Sequence, residues 1–437
     1  MSKFQVHVFL IPVLLQLLPL TTNAQAQPNE LYQNVYKFWQ GYRDPRNGLY
    51  CDNQDFKSTT VCGPKNNFYS SAAVGMGMVA ETVFAEIGLQ NFTTSQSKIE
   101  ETLNSFVNLW PQENNFGYFQ HFCDDKFQVL AEYSTIDSAI LVAGASFAGN
   151  YFGGNVKSLA DNLLKQVDWS AAIPYEDDSQ IYMVADDNAN PPCLKSPTRV
   201  FNEYYLVAYL AKITDPNNQK IQNFFQTYFG TTAKPVGGSD GRPFTVTYEE
   251  YEALSDGKSY WISSFIPQFL RFLSRGFNQN PYYKQEMLVN WLKADQSFWR
   301  DSVQNLITPF EVWGDNVENK IFGCGAGDSP NSGYSVQKIL NVGPDYTFST
   351  QIMAGFLGVD SDANQEILDN LNWLFDNGIC RYTKNYDDGS FANVLWRCSV
   401  SDSEWRANRP TSIDFSSMVL GYATVYLDEY FFETFAI

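Results

Sequence analysis

The sequence predicts one all-α domain of the (α/α)6-barrel type, with inserted loops and short β segments. Two observations lead to this prediction. Six strongly apolar helical segments recur along the chain, and six amphipathic segments alternate with them. A helix that is apolar over most of its circumference belongs inside a protein, whereas an amphipathic helix covers such a core and faces water. Twelve helices that alternate in this way form an inner ring and an outer ring.

The predicted inner helices each follow small polar or hydroxyl residues, which are typical N-caps. The apolar segments lie at 72–84, 136–145, 203–211, 265–273, 351–358 and 413–427. The amphipathic segments lie at 29–40, 97–109, 155–167, 218–229, 282–298 and 364–375. Successive inner helices of such a barrel run parallel, so their N-termini meet at one end. Polar residues at these starts should line one cavity, where the helix dipoles favour anionic side chains.

The first 26 residues have the pattern of a secretory signal. A positive charge at Lys3 precedes an apolar run at 8–20, and Ala24-Gln25-Ala26 is a small-x-small cleavage site. No later stretch reaches roughly 18 apolar residues without interruption, so we expect no membrane span. The sequence therefore predicts a secreted, extracellular protein whose single domain covers 27–437, and we expect a monomer.

Seven cysteines suit an oxidising compartment. The short separations favour local disulfides between Cys51 and Cys62 and between Cys380 and Cys398. The odd number leaves one cysteine over. A glycosylation sequon begins at Asn91, in Asn-Phe-Thr.

The formal net charge is −19, and aromatic residues make up 16% of the chain. This charge argues against nucleic acid, whose phosphates attract Lys and Arg, and against anionic membranes. An acidic, aromatic-rich surface suits a neutral ligand that is bound by stacking and hydrogen bonds, and a polysaccharide is the first candidate. The alternative is that the acidity only keeps a secreted protein in solution.

The choice of catalytic side chains is narrow. Once His7 is removed with the signal, His121 is the only histidine. The chain has no H-E-x-x-H zinc motif, no C-x-x-C pair and no G-x-x-x-x-G-K-[ST] loop, so we expect neither a metal nor a cofactor. The commonest catalytic side chains that remain are carboxylates, which indicates cleavage of a glycoside by an acid and a base.

Three acids occupy the first turns of apolar helices: Asp137, Glu203 and Asp414. The sequence is STID at 134–137 and TSID at 411–414, which is the same helix start used twice. An acid at this position also stabilises a helix without any function, by about 0.3–1 kcal/mol. Glu203 lies among aromatic residues, which raise the pKa of a carboxyl group toward that of a general acid. We expect the three acids to converge at one end of the barrel.

Further polar and aromatic residues fit a sugar-binding cleft. Asp387 and Asp388 precede Gly389 and are also typical of an ordinary turn. His121 either donates a hydrogen bond to a sugar or is a satisfied buried histidine. Each tryptophan is either a sugar platform or a core residue. The remaining candidates for substrate binding are Trp261, Trp313, Asp328 and Trp396.

Several stretches resemble, in the same order, motifs of the glucoamylase-like (α/α)6 family, which includes the endo-β-1,2-glucanases of glycoside hydrolase families 144 and 162. These stretches are SSAAVGMGM, GYFQHF, EYSTIDSAILVAGA, the YF of NYFGG, QVDW, FNEYYLVAYLA and FGCGAGDSPNSGY. The resemblance is nearly continuous from Tyr69 to Trp169 and patchier from Phe201 onward.

The resemblance implies an endo-acting hydrolase that cleaves β-1,2-glucan into sophoro-oligosaccharides with inversion at the anomeric carbon. The acid of the family's Y-N-E motif corresponds to Glu203, which would be the general acid. Asp414 would be the general base, with Asp387 or Asp388 as the alternative, and Asp137 would support catalysis. Substrate contacts would come from Glu132, Asn202 and Tyr204.

The chain departs from the family pattern where the family has W-I-D-F-R-G, because Ser263 and Phe265 replace its Asp and Arg. A D-G-P motif is Asp328-Ser329-Pro330 here. These departures indicate a divergent branch. Two other functions fit the same residues: a transglycosylase, which would retain the anomeric configuration, and a non-catalytic carbohydrate-binding barrel. A lyase fits less well, because it needs basic residues and the chain is acidic.

Overall fold

The computed structural model describes most of the chain after residue 26. The described residues are 27–62, 68–113, 115–128, 130–173, 180–186, 193–199, 201–229, 263–303, 320–331, 333–337, 347–400, 402 and 405–437. Three parts of the sequence that carry predictions lie outside these ranges. They are the signal segment 1–26, Trp261 and Trp313.

Six helices form the predicted inner ring. They are α2 (Ser71–Ile87), α4 (Thr135–Phe152), α6 (Tyr205–Thr214), α8 (Phe265–Leu273), α11 (Thr350–Gly355) and α13 (Ser412–Ala423). Each helix packs against the next in this order, and α13 packs against α2, so the ring closes. Most of their residues are buried.

The outer helices occupy the predicted amphipathic segments. They are α1 (Glu30–Gln40), α3 (Phe92–Leu109), α5 (Gly154–Gln166), α7 (Gln219–Phe229), α10 (Leu288–Ser297) and α12 (Ser361–Asp376). Two π-helical turns, Tyr282–Met287 and Phe298–Val303, flank α10. The short helices are Trp169–Ala172 (a 3-10 helix), α9 (Arg275–Asn278) and α14 (Phe431–Phe435). The fold is therefore the predicted (α/α)6 barrel.

Short antiparallel strands lie in the loops between the helices. They are β1 (Tyr69–Ser70), β2 (Phe122–Cys123), β3 (Tyr133–Ser134), β4 (Gln180–Asp186), β5 (Cys193–Arg199), β6 (Ala326–Ser329), β7 (Gly333–Val336), β8 (Thr347–Phe348), β9 (Arg381–Asn385), β10 (Phe391–Leu395) and β11 (Cys398–Ser399). One sheet has the order β3-β4-β5, and β1-β2, β6-β7, β8-β11 and β9-β10 form pairs. None of the described helices is long and apolar enough to cross a membrane.

Both predicted disulfides are present, Cys51–Cys62 and Cys380–Cys398. Three cysteines, rather than the single one expected, are unpaired. Cys123 and Cys324 are buried in separate parts of the core, and Cys193 is exposed on β5. The local pairs form because short loops bring their cysteines together, which does not hold for the other three.

Glycines allow the inner helices to touch through their backbones. A Cβ atom added to Gly144 in α4 would lie 2.1 Å from the carbonyl oxygen of Gly75 in α2. The same holds for Gly421 in α13, whose added Cβ would lie 2.1 Å from the Ala354 oxygen in α11. Carbonyl groups fixed in helices cannot move away easily, so any side chain here would separate the helices.

We predict that Gly144→Ala lowers the free energy of unfolding by about 2 kcal/mol, because the added methyl group overpacks the contact between α4 and α2. Gly149→Ala is the matched control on the same helix. Its added Cβ would lie 3.0 Å from the nearest atom, so its effect should stay below about 1 kcal/mol. Urea denaturation of both variants measures this difference, and equal stabilities would contradict the role assigned to the contact.

Candidate active site

A cleft of about 550 Å³ opens at the N-terminal ends of the inner helices. Residues from the starts of α2, α4, α6, α8 and α13 line it, together with residues from the loops that precede them. Its wall comprises Asp52, Asn53, Phe68, Ser70, His121, Phe122, Ile136, Asp137, Ile140, Glu203, Phe265, Phe269, Asp328, Tyr334, Arg409, Thr411, Ile413 and Asp414. The cleft thus brings together Asp137, Glu203 and Asp414.

Asp137 lies in the first turn of α4, where Ser134 is the N-cap. The Ser134 hydroxyl accepts a hydrogen bond from the Asp137 amide at 3.2 Å and donates one to Asp137 Oδ2 at 2.5 Å. The acid therefore binds the capping hydroxyl, not the N-cap amide of a standard capping box. The arrangement fixes the carboxylate at the positive end of the helix.

His121 connects Asp137 to Glu132. Its Nε2 lies 3.3 Å from Asp137 Oδ1 and its Nδ1 lies 3.0 Å from Glu132 Oε1. Burial lowers the pKa of His121, but Asp137 and Glu132 outweigh that effect and raise it. The hydrogen bond from His121 in turn lowers the pKa of Glu132, which is exposed. His121 thus links Asp137, in the cleft wall, to Glu132 outside it.

Glu203 lies in the turn immediately before α6 and is partly exposed toward the cleft. Burial raises the pKa of its carboxyl group to about 7, and the charge of Asp137 contributes to the rise. The turn is fixed by Asn202, whose Oδ1 accepts a hydrogen bond from the Tyr204 amide at 3.0 Å. Near neutral pH, a large fraction of Glu203 therefore carries a proton that it can donate.

Asp414 lies in the first turn of α13, in the same position as Asp137 in α4. Its Oδ2 accepts hydrogen bonds from the Thr411 hydroxyl at 2.5 Å and from the Tyr334 hydroxyl at 3.0 Å. Burial raises its pKa, while the two hydroxyl groups and the positive charge of Arg397 oppose the rise. Arg397 is buried behind the cleft and donates hydrogen bonds to Ser349 and Ser329.

Three ionisable residues of the cleft wall were not identified from the sequence: Asp52, Tyr334 and Arg409. Asp52 lies in a loop that has no catalytic motif, and burial, together with Asp414 and Asp137, raises its pKa to about 6. Tyr334 lies on β7, where its side chain is 53% exposed although its hydroxyl reaches Asp414. The predicted Asp328 lines the cleft from β6, and burial raises its pKa against the charges of Arg397 and Arg409.

Several predicted site residues lie away from the cleft wall. Trp396 is fully buried against Phe415 in the core and cannot stack on a ligand. Asp387 and Asp388 are exposed in the turn between β9 and β10, where Asp388 accepts a hydrogen bond from the Ser390 amide. The places of these three residues are the usual ones for their types, because large aromatic residues fill cores and an Asp-Gly sequence forms hairpin turns.

Asn202 and Tyr204 flank Glu203 without lining the cleft themselves. Tyr204 is buried, and the Asn202 amide donates a hydrogen bond to the Thr198 hydroxyl at 2.8 Å. Their contribution is to hold the turn. Among the residues that the structure describes, no group of three or more His, Cys, Asp and Glu side chains is arranged to hold a metal ion.

Known protein-family models and curated protein sequences give no match to this chain. Solved structures do. An endo-β-1,2-glucanase from Chitinophaga pinensis, in complex with sophorotriose and glucose, is 14% identical, with a TM-score of 0.68 and 93% of each chain covered. A β-1,2-glucanase from Parabacteroides distasonis is 16% identical, with a TM-score of 0.61 over 90% of this chain and 56% of that one. An endo-β-1,2-glucanase from Talaromyces funiculosus, bound to sophorose, is 13% identical, with a TM-score of 0.55 over 90% and 84%. These likenesses confirm the barrel fold.

The pKa of Glu203 gives a direct test of the cleft's electrostatics. We predict that the Glu203 carboxyl group titrates near pH 7, and that Asp137→Asn lowers the midpoint because it removes a nearby negative charge. Carbon-13 NMR of labelled glutamate, assigned with Glu203→Gln, measures both values. A midpoint near 4.5 in the unmodified protein would contradict the described burial.

Proposed function

We propose that the protein is an endo-acting glycoside hydrolase that cleaves β-1,2-glucan with inversion and releases sophoro-oligosaccharides. The observation that carries this proposal is Glu203, a carboxyl group with a pKa of about 7 in a cleft lined by further carboxylates. An inverting glycosidase needs one protonated acid and one ionised base on opposite faces of the sugar. The fold that the chain shares with endo-β-1,2-glucanases supports the choice of linkage.

The character of the cleft suits a neutral sugar polymer. Aromatic rings of Phe68, Phe122, Phe265 and Tyr334 line it beside the carboxylates. Sugar rings pack on aromatic faces, and sugar hydroxyl groups donate hydrogen bonds to carboxylate oxygens. A polysaccharide with its own acid groups would be repelled by the excess of negative charge. A neutral glucan is therefore the class of substrate that fits.

Glu203 is the proposed general acid. Its proton passes to the glycosidic oxygen as the bond from that oxygen to the anomeric carbon breaks. Asp137 supports this step, because its negative charge raises the pKa of Glu203. His121, which itself contacts Glu132, helps to hold Asp137 in place.

Asp414 is the proposed general base. It accepts the proton of the attacking water, either directly or through a sugar hydroxyl, as the oxygen bonds to the anomeric carbon. The hydroxyl groups of Thr411 and Tyr334 and the charge of Arg397 stabilise its ionised form. Tyr334 also presents a half-exposed ring at the cleft, which makes it a better sugar platform than the buried Trp396.

We further propose that the protein is secreted and glycosylated at Asn91. Two disulfides support an oxidising compartment. Asn91 is exposed and caps α3 through its side-chain oxygen, which accepts a hydrogen bond from the Thr93 amide at 2.9 Å. Protein recovered from culture medium should begin near Gln27 and lose mass on deglycosylation. A chain that stays inside the cell with an intact N-terminus would contradict secretion.

Activity is tested by incubating the protein with linear β-1,2-glucan, β-1,3-glucan, cellulose and starch. We predict that short β-1,2-oligosaccharides appear from the first polymer and that optical rotation reports inversion. Retention would favour a transglycosylase, and a folded protein that releases no product would favour a carbohydrate-binding barrel.

Loss of the acid should reduce kcat by about 10²–10⁴-fold in Glu203→Gln, since a general acid contributes a factor of this size. Glu86→Gln is the control, because Glu86 bonds Tyr151 outside the cleft. Activity of the unmodified protein should fall as pH rises through about 7, where Glu203 loses its proton. A Glu203→Gln variant with full kcat would overturn the assignment.

A further inference from the structure

The loop that carries Asp52 is held unusually firmly. The Cys51–Cys62 disulfide closes it, and its two ends donate backbone hydrogen bonds to the two residues that follow α1. The Cys51 amide bonds the Tyr42 oxygen at 2.9 Å, and the Cys62 amide bonds the Gly41 oxygen at 2.8 Å. Such fixation is unnecessary for a surface loop whose only task is to connect two helices.

A buried lysine fastens the middle of the same loop. Lys384 on β9 is fully buried, and its ammonium group donates hydrogen bonds to the carbonyl oxygens of Asp55, Ser58 and Thr60 at 2.8, 2.6 and 3.1 Å. Burial lowers the pKa of Lys384. Because burying an ammonium group is costly, the three carbonyl groups must compensate for lost hydration. By binding three carbonyl groups at once, the lysine fixes the shape of the loop.

The fixed loop connects directly to the start of α13. Asn53 pairs with Thr411 in an antiparallel bridge. The Ser412 amide donates a hydrogen bond to the backbone carbonyl oxygen of Asp52 at 2.6 Å, and the Ser412 hydroxyl donates a second one to the same oxygen at 3.1 Å. Asp414 follows two residues later. The carboxyl groups of Asp52 and Asp414 therefore enter the cleft from two segments that are bonded to each other.

We propose that Asp52 is a catalytic residue that forms a carboxyl pair with Asp414 and, with it, holds the attacking water or the sugar hydroxyl that relays its proton. The two carboxyl groups differ in the number of side-chain hydrogen bonds that they already accept. Asp414 Oδ2 already accepts hydrogen bonds from two hydroxyl groups. Asp52 accepts one side-chain hydrogen bond, from Asn53 at 3.1 Å, and so keeps more capacity for a ligand.

This proposal rests on the proposed glycosidase function. In the reaction, the water oxygen bonds to the anomeric carbon, its proton goes to the pair, and the proton of Glu203 goes to the departing oxygen. The charges of Asp414 and Asp137 add to burial in raising the pKa of Asp52 to about 6, which is expected of neighbouring carboxyl groups. The titratable groups that interact electrostatically with Asp52 are Asp414, Asp137, His121, Tyr42 and Tyr334.

Asp52→Asn tests the proposal through kinetics on β-1,2-gluco-oligosaccharides. We expect kcat to fall by about 10²-fold or more, the scale of an acid–base contribution, without a drop in melting temperature, because removing a negative charge beside Asp414 and Asp137 relieves repulsion. The acidic limb of the residual pH profile should move to lower pH, because removing the charge of Asp52 lowers the pKa of Asp414. Asp369→Asn on the outer helix α12 is the control. Asp369 is exposed outside the cleft wall, and its side chain accepts a hydrogen bond from the Gln365 amide, an interaction that asparagine retains, so the activity of this variant should equal that of the unmodified protein.

A variant Asp52→Asn with kcat within threefold of normal and an unmoved acidic limb would overturn the proposal. Carbon-13 NMR of labelled aspartate gives a readout that needs no activity. Asp414→Asn should lower the Asp52 midpoint from about 6, and an unchanged midpoint would exclude the pair. A protein inactive on every glucan would remove the proposed function and the catalytic role with it, whereas the NMR shift would still decide whether the two carboxyl groups interact.

Discussion

Repulsion between carboxyl groups is the constraint on which the cleft depends. Asp52, Asp137, Glu203 and Asp414 share one cleft with Asp328. Like charges that lie close together in a poorly hydrated site cannot all ionise at no cost. The inner helices bring Asp137, Glu203 and Asp414 together because their N-termini meet at one end of the ring, and the adjoining loop and β6 add Asp52 and Asp328. The same helix ends lower the cost, since their dipoles favour negative charge.

The rest of the site distributes the charge unevenly. Hydroxyl groups stabilise Asp137 and Asp414, and His121 lies beside Asp137. Glu203 has no such partner among the described side chains, and burial raises its pKa to about 7, against about 6 for Asp52. An environment that separates the pKa values of neighbouring carboxyl groups is what the proposed mechanism requires, in which Glu203 donates a proton and Asp52 and Asp414 accept one.

The fold could be predicted from the sequence because the inner helices are apolar on nearly all sides and begin with recognisable caps. Asp137, Glu203 and Asp414 were accessible by the same reasoning, since each lies at a helix start. Asp52 was not, because its place in the cleft depends on the pairing of Asn53 with Thr411, far away in the sequence. Tyr334 likewise reaches Asp414 from a hairpin whose position no local pattern indicates. For Trp396 the structure decides for the core, a choice that the sequence left open because residue type alone does not distinguish a core tryptophan from a sugar platform.

We propose that the glycosidic bond of a β-1,2-glucan lies between residue 203 and the pair of Asp52 and Asp414. A crystal structure of Glu203→Gln with a bound β-1,2-gluco-oligosaccharide tests this arrangement directly. We expect the side chain of residue 203 to donate a hydrogen bond to one glycosidic oxygen, and a water or a sugar hydroxyl to contact Asp52 and Asp414 on the opposite face of the adjoining sugar. An oligosaccharide bound elsewhere on the barrel, or bound in the cleft with no glycosidic oxygen near residue 203, would contradict it.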